Sequence, residues 1–181
     1  AMALDVLDVV AATPCVEHVV VVTGEPEAAA FARRHGMAVL EDRPLLSTLG
    51  DAVQRGVRWI GGRHAGTPVA VVPATLPALT TESLTEALVR LGAVGEACVP
   101  DAQGRGATLR ATSSPADFVA ATGPRAMRAL SRAGVRGITA VETGVRADVQ
   151  TREALLGLSS SVLGPRTAEL VHELSAAPAP A

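Results

Sequence analysis

Apolar residues return every three or four positions over residues 2–12. Met2, Leu4, Val6, Leu7, Val9 and Val10 form one stripe, with Asp5 and Asp8 outside it, which predicts a helix. A β-branched run, His18-Val-Val-Val-Val, predicts a strand over 17–23. Gly24 and Pro26 then turn the chain into a helix over 26–35 that Gly36 ends. A short strand follows over 37–40. Leu49, Val53, Val57 and Ile60 share one face of a helix over 48–60. Val69–Val72 reads as a buried strand that breaks at Pro73 and Pro77, before a helix over 81–91 ended by Gly92. Strands over 94–99 and 107–111 flank the turn Asp101-Ala-Gln-Gly-Arg-Gly. Residues 123–133 predict a helix ended by Gly134, and 137–141 a strand. Thr151 caps a further helix, with Glu153 placed to suit its dipole. Gly164-Pro165 opens the last one.

Strands alternating with helices predict an α/β fold: one three-layer αβα domain over 1–175, built on a mainly parallel sheet in the Rossmann-like manner. The Ala-Pro-Ala-Pro-Ala end predicts a flexible tail over 176–181. A doubly wound domain usually opens with a strand and a phosphate loop, whereas this pattern opens on a helix, so both are expected outside these residues. Ligands of such sheets sit at the carboxyl ends of the strands. That rule directs attention to the segment after Val72.

Composition narrows the function. Of 181 residues 48% are hydrophobic, which excludes a disordered chain. A net charge of −2 and 2% aromatic residues give no footprint for nucleic acid. No apolar run is long enough to span a bilayer, and the first residues do not resemble a signal peptide, so a cytoplasmic protein is expected. Cys15 and Cys98 read as reduced thiols. His18, His35, His64 and His172 lack ligand spacing and read as helix-end or surface residues. All sixteen basic residues are arginine, so a phosphate-binding lysine is absent from these residues.

Several segments, in order, resemble one enzyme family. They are Glu17-His-Val-Val-Val-Val-Thr, Pro73-Ala-Thr-Leu-Pro-Ala-Leu-Thr, Asp101-Ala-Gln-Gly-Arg-Gly-Ala-Thr-Leu, Gly123-Pro124, Ala147-Asp-Val-Gln-Thr-Arg-Glu-Ala-Leu and Leu163-Gly-Pro-Arg-Thr-Ala-Glu-Leu-Val. Together they resemble the 2-phospho-L-lactate or phosphoenolpyruvate guanylyltransferases, of the molybdenum-cofactor guanylyltransferase-like nucleotidyltransferase fold. The resemblance implies transfer of GMP from GTP to a small phosphorylated carboxylic acid, with Mg²⁺, in deazaflavin coenzyme biosynthesis. By the same resemblance Asp148 is the expected metal ligand. Thr75 and Gln150 stand at catalytic positions where the family pattern carries Asp. Gly106, Thr108, Gly123, Pro124 and Arg125 are expected at the acceptor substrate. Ser47, Thr48, Pro73, Leu76 and Asp101 are expected at the nucleotide.

The departures gather at the chemistry. Mg²⁺ favours carboxylate oxygens in near-octahedral geometry, for which a neutral threonine hydroxyl or glutamine carbonyl is a poor replacement. Metal-supplied stabilisation is worth several kcal/mol, so its loss costs at least ~10³-fold in rate. Two readings therefore stay open. One is an active guanylyltransferase; the other is an impaired or inactive homologue that binds a ligand or partner. A dinucleotide-binding fold is disfavoured, because Val19-Val-Val-Val-Thr-Gly-Glu-Pro lacks the glycine fingerprint.

Overall fold

Three helices begin where a threonine hydroxyl accepts a first-turn amide. The computed structural model describes residues 1–42 and 48–176, and shows these caps at Thr48, Thr80 and Thr151. They open α3 (Leu49–Arg63), α4 (Thr81–Gly92) and α7 (Arg152–Leu156). At α3 and α4 the third helical residue, Asp51 or Ser83, bonds back to the threonine amide and closes a capping box. The other helices are α1 (Met2–Ala12), α2 (Pro26–Arg34), α5 (Ala126–Arg132), α6 (Thr143–Arg146) and α8 (Pro165–Ala176).

Strands β1 (Val20–Thr23) and β2 (Ala38–Glu41) pair in parallel, from Val20↔Ala38 to Thr23↔Glu41. Strands β3 (Val69–Val71), β4 (Ala97–Pro100), β5 (Ala107–Thr112) and β6 (Arg136–Gly137) form a second sheet in the order β3-β5-β4-β6. In that sheet β4 and β6 are parallel, while β5 runs antiparallel to both β3 and β4. The short Asp101–Gly106 connection is the reason, since a parallel crossover needs about a dozen residues or more. The ladder shifts register between Cys98 and Pro100, where proline has no N–H to give.

Side chains alternate across the second sheet and make a three-layer αβα body. On one face Ala97, Val99, Leu109 and Ala111 pack with α1 and α4 through Val6, Val10, Leu84 and Leu91. On the other, Cys98 meets Ala126 and Leu130 of α5, and Val69 meets Val57 of α3. The two sheets are joined by side chains. Helix α3 packs on both β1 and β3, and α1 packs on α2, α4 and α8. Among the described residues β1 pairs only with β2, and β3 only with β5. The valine-rich β1 is half-buried throughout.

Several expectations need correction. Strand β1 starts at Val20, and β6 stops at Gly137. Ile138 still donates to the Cys98 carbonyl at 2.8 Å, but no ladder continues to 141. Helix α5 starts at Ala126, because Gly123, at φ +78°, still turns the chain. Gly92 is the last residue of α4, not its stop; Gly95, at φ +86°, makes the turn. Asp5 is not outside: it is 5% exposed, and its carboxylate accepts from Thr167 N at 2.8 Å and Thr167 Oγ1 at 2.7 Å. It caps α8 from α1. Helix α8 extends to Ala176, and 177–181 lie outside the described residues.

Candidate active site

After β3 the chain passes through Val72-Pro73-Ala74-Thr75-Leu76-Pro77. Leu76 and Pro77 are fully buried and anchor this turn in the core. Thr75 is thereby held against the segment that follows α6, and its carbonyl accepts from Val149 N at 2.9 Å. Its hydroxyl donates to Asp148 Oδ1 at 2.5 Å. Gln150 Nε2 donates to both Asp148 oxygens, at 2.9 and 2.8 Å. The opposite amide orientation would set an oxygen against the carboxylate, so the network itself selects the amide nitrogen. Thr75, Asp148 and Gln150, separated by up to 75 positions in the chain, form one hydrogen-bonded group.

A second group sits on the β4–β5 turn. Asp101 Oδ1 accepts from Arg105 N at 2.9 Å, and Oδ2 from Gly106 N at 2.7 Å. A Cβ on Gly106 would lie 2.7 Å from Asp101 Oδ2, so this close approach requires glycine. The same Cβ would lie 3.5 Å from the Gly123 carbonyl, which places Gly123 beside Gly106. Met127 N donates to the Arg105 carbonyl at 3.1 Å, and Ala126 N to that of Gly123 at 3.0 Å. These two amides at the start of α5 are therefore committed within the protein. Arg105, Pro124 and Arg125 are exposed, and Arg125 is the residue before α5, not part of its first turn.

Arg146, which sequence reasoning missed, ties the two groups together. Its Nε donates to the Pro100 carbonyl at 3.1 Å and its Nη2 to that of Asp101 at 2.9 Å. The Arg146 carbonyl in turn accepts from Ala102 N and Asp148 N, each at 3.0 Å. Arg110 was missed as well. It lies buried with its guanidinium 4.1 Å from the Phe118 ring centre, and it donates to the Ala121 carbonyl at 3.1 Å and to that of Val119. Burial pushes its pKa down to about 10. It holds the loop that leads to Thr122 and Gly123. An arginine inside a strand was the available signal.

The remaining expected residues divide. Thr48 caps α3. The N-terminus of α3 lies along residues 120–122, where a Cβ on Gly50 would meet the Ala120 carbonyl at 3.1 Å and Thr122 Oγ1 at 3.9 Å. Pro73 is half-buried on the turn before Thr75. The Leu76 side chain belongs to the core. Thr108 is buried and its hydroxyl donates to the Val99 carbonyl at 3.3 Å, inside the sheet. Ser47 lies outside the described residues.

A model of the MobA-like NTP transferase domain matches residues 2–151. The chain belongs to that family. Curated relatives include the phosphoenolpyruvate guanylyltransferase of Geodermatophilus obscurus, 36% identical over 94% of this chain and 77% of its own length. The protein of that name from Thermomonospora curvata is 34% identical, over 97% and 78%. Two solved structures share the fold. A 4-diphosphocytidyl-2C-methyl-D-erythritol synthase superposes with TM-score 0.62 at 15% identity, covering 97% of this chain and 90% of its own. A CMP:2-keto-3-deoxy-manno-octonic acid synthetase complexed with CTP gives 0.53 at 11% identity, with 96% and 88% covered. The mixed α/β architecture is thus that of NTP transferases.

Nucleotidyl transfer in this family generally employs a divalent cation, which supplies charge neutralisation at the phosphates. The Asp148 group does not fit one. It offers a single carboxylate, both of whose oxygens already accept hydrogen bonds, and its two neighbours are neutral donors. Among the described residues no group of three or more His, Cys, Asp or Glu side chains is arranged to hold a metal ion.

Proposed function

We propose that the chain is a guanylyltransferase that joins GMP from GTP to phosphoenolpyruvate, or to 2-phospho-L-lactate, and releases pyrophosphate. An acceptor phosphate oxygen forms a bond to the α-phosphorus as the bond to the β-phosphate oxygen breaks. The carrying observation is that the Thr75–Asp148 and Asp101–Gly106–Gly123 groups are tied together through Arg146, in a chain 36% identical to a phosphoenolpyruvate guanylyltransferase.

In this reading Pro73, Asp101 and the Thr48 end of α3 border the nucleotide, and Ser47, which lies outside the described residues, is proposed to bind it as well. The Gly106 and Gly123 turns border the acceptor, with Pro124. Arg105 and Arg125 are the exposed cations of those turns and offset acceptor charge, since the chain carries no lysine. Mg²⁺ is the cation proposed to accompany GTP, and the pathway served is deazaflavin coenzyme synthesis.

The test is pyrophosphate release from GTP with each acceptor in turn. Release that needs both GTP and phosphoenolpyruvate is the expected result. A second reading, a non-catalytic relative, starts from the lone carboxylate at the Thr75 turn, whose oxygens accept three hydrogen bonds from two neutral side chains. GTP binding measured by calorimetry without any pyrophosphate release would select it.

A further inference from the structure

A carboxylate that serves a divalent cation must present free oxygen lone pairs, and Mg²⁺ sheds its water reluctantly in near-octahedral geometry. Asp148 presents little. Its Oδ1 faces the Thr75 hydroxyl at 2.5 Å and the Gln150 amide at 2.9 Å, and its Oδ2 faces the same amide at 2.8 Å. Each donor aims a positively polarised hydrogen at the position a cation would take. Rotating both side chains away would add only a neutral hydroxyl and a neutral amide oxygen to one carboxylate.

The surrounding backbone is arranged for another task. Val149 N donates to the Thr75 carbonyl at 2.9 Å, Asp148 N to that of Arg146 at 3.0 Å, and Val149 itself is buried with Leu155 and Val171. The carboxylate is the polar end of a joint between the turn after β3 and the segment after α6.

We infer that Asp148 in this chain is a metal-free latch: a positioning residue that fastens 147–150 to the Thr75 turn through hydrogen bonds alone. Any divalent cation that serves nucleotide transfer then comes held by the nucleotide phosphates. The latch does not depend on the chain being a guanylyltransferase, and nucleotide-free protein tests it separately from turnover.

Mn²⁺ binding to the nucleotide-free protein, followed by electron paramagnetic resonance and calorimetry, is the experiment. The wild type is expected to show no stoichiometric site, and Asp148→Asn is expected to leave its weak binding unchanged. A Thr75→Asp, Gln150→Asp double variant is expected to bind Mn²⁺ at least about tenfold more tightly, because three carboxylates then converge. One Mn²⁺ per wild-type chain, with affinity lost about tenfold or more in Asp148→Asn, would overturn the inference. Should the double variant not fold, amide exchange in the wild type and Thr75→Val decides. Exchange over 147–150 is expected to quicken in Thr75→Val and to be indifferent to Mg²⁺ in the wild type. Protection of 147–150 by Mg²⁺ in the wild type, lost in Asp148→Asn, refutes the latch.

Discussion

Replacing Asp5 by alanine is the sharpest test of how the last helix is held. The Asp5 carboxylate is 5% exposed and accepts from Thr167 N, Thr167 Oγ1, Arg166 N and Arg166 Nη1, at 2.8, 2.7, 3.3 and 3.1 Å. Gly164 opens α8, so the Arg166 and Thr167 amides are first-turn donors, and Asp5 is a cap supplied from another helix. Thr167 is fully buried. Truncation strands its amide and hydroxyl, each costing about 1–3 kcal/mol, of which a lost cap typically accounts for ~1 kcal/mol. A total near 3 kcal/mol is expected, equivalent to a fall of about 6–12 °C in Tm for a chain of this size. Urea unfolding followed by circular dichroism measures it. Asp8→Ala is the control, since Asp8 touches the same Arg166 at 2.5 Å but is 44% exposed. An exposed pair of that kind is worth less than about 1 kcal/mol. If the two variants lose equal stability, burial of the Asp5 cap is not what holds α8, and the reasoning fails.

Gly106→Ala is expected to prise Asp101 off the turn, because the new Cβ would stand 2.7 Å from its Oδ2. Loss of two charge-assisted bonds predicts ~2 kcal/mol of destabilisation and faster amide exchange at Arg105 and residue 106. Cys15 is exposed and Cys98 buried, so one thiol per chain should react with Ellman's reagent in the native state and two in denaturant. Burial pushes the Cys98 pKa above its ordinary 9.0, against a smaller opposing pull from Arg110. The unfolded thiol therefore gives up its proton first. This group's contribution to stability should fall as pH rises above 9.0, a slope that urea titrations would find absent in Cys98→Ala.

Local chemistry was readable in the chain; long-range polar pairing was not. The threonine cap at 151, and glycine stops at 36 and 134, fix helix ends through bonds within a few residues, and a short window of sequence contains them. Strand ends depend on a partner, so 138–141 read as strand although the ladder stops at Gly137. Asp5 illustrates the larger failure. By helical periodicity it belongs outside, but its partner Thr167 lies 162 residues away, and only the docking of α8 buries it. The candidate site divides in the same manner. The Asp101–Gly106 turn is legible because its bonds are local, whereas Thr75 and Asp148 were linked only by resemblance to a family. Arg146 acts by donating to main-chain carbonyls, a use that no pattern of residue types announces, whereas Arg110 was marked only as an arginine inside a strand.

The split between the two sheets has a consequence for cooperativity. No ladder hydrogen bond among the described residues crosses from β1–β2 to the four-stranded sheet. Across that seam the described contacts run through side chains of α1 and α3, with Arg166 of α8 over the Phe31 ring and Val19 against the larger core. The β1–α2–β2 unit can therefore open without breaking any sheet ladder, whereas β4 and β5 exchange only when the larger core gives way. Two coupled unfolding units of unequal stability are therefore expected in native-state amide exchange, with Thr48 and the start of α3 at the boundary between them.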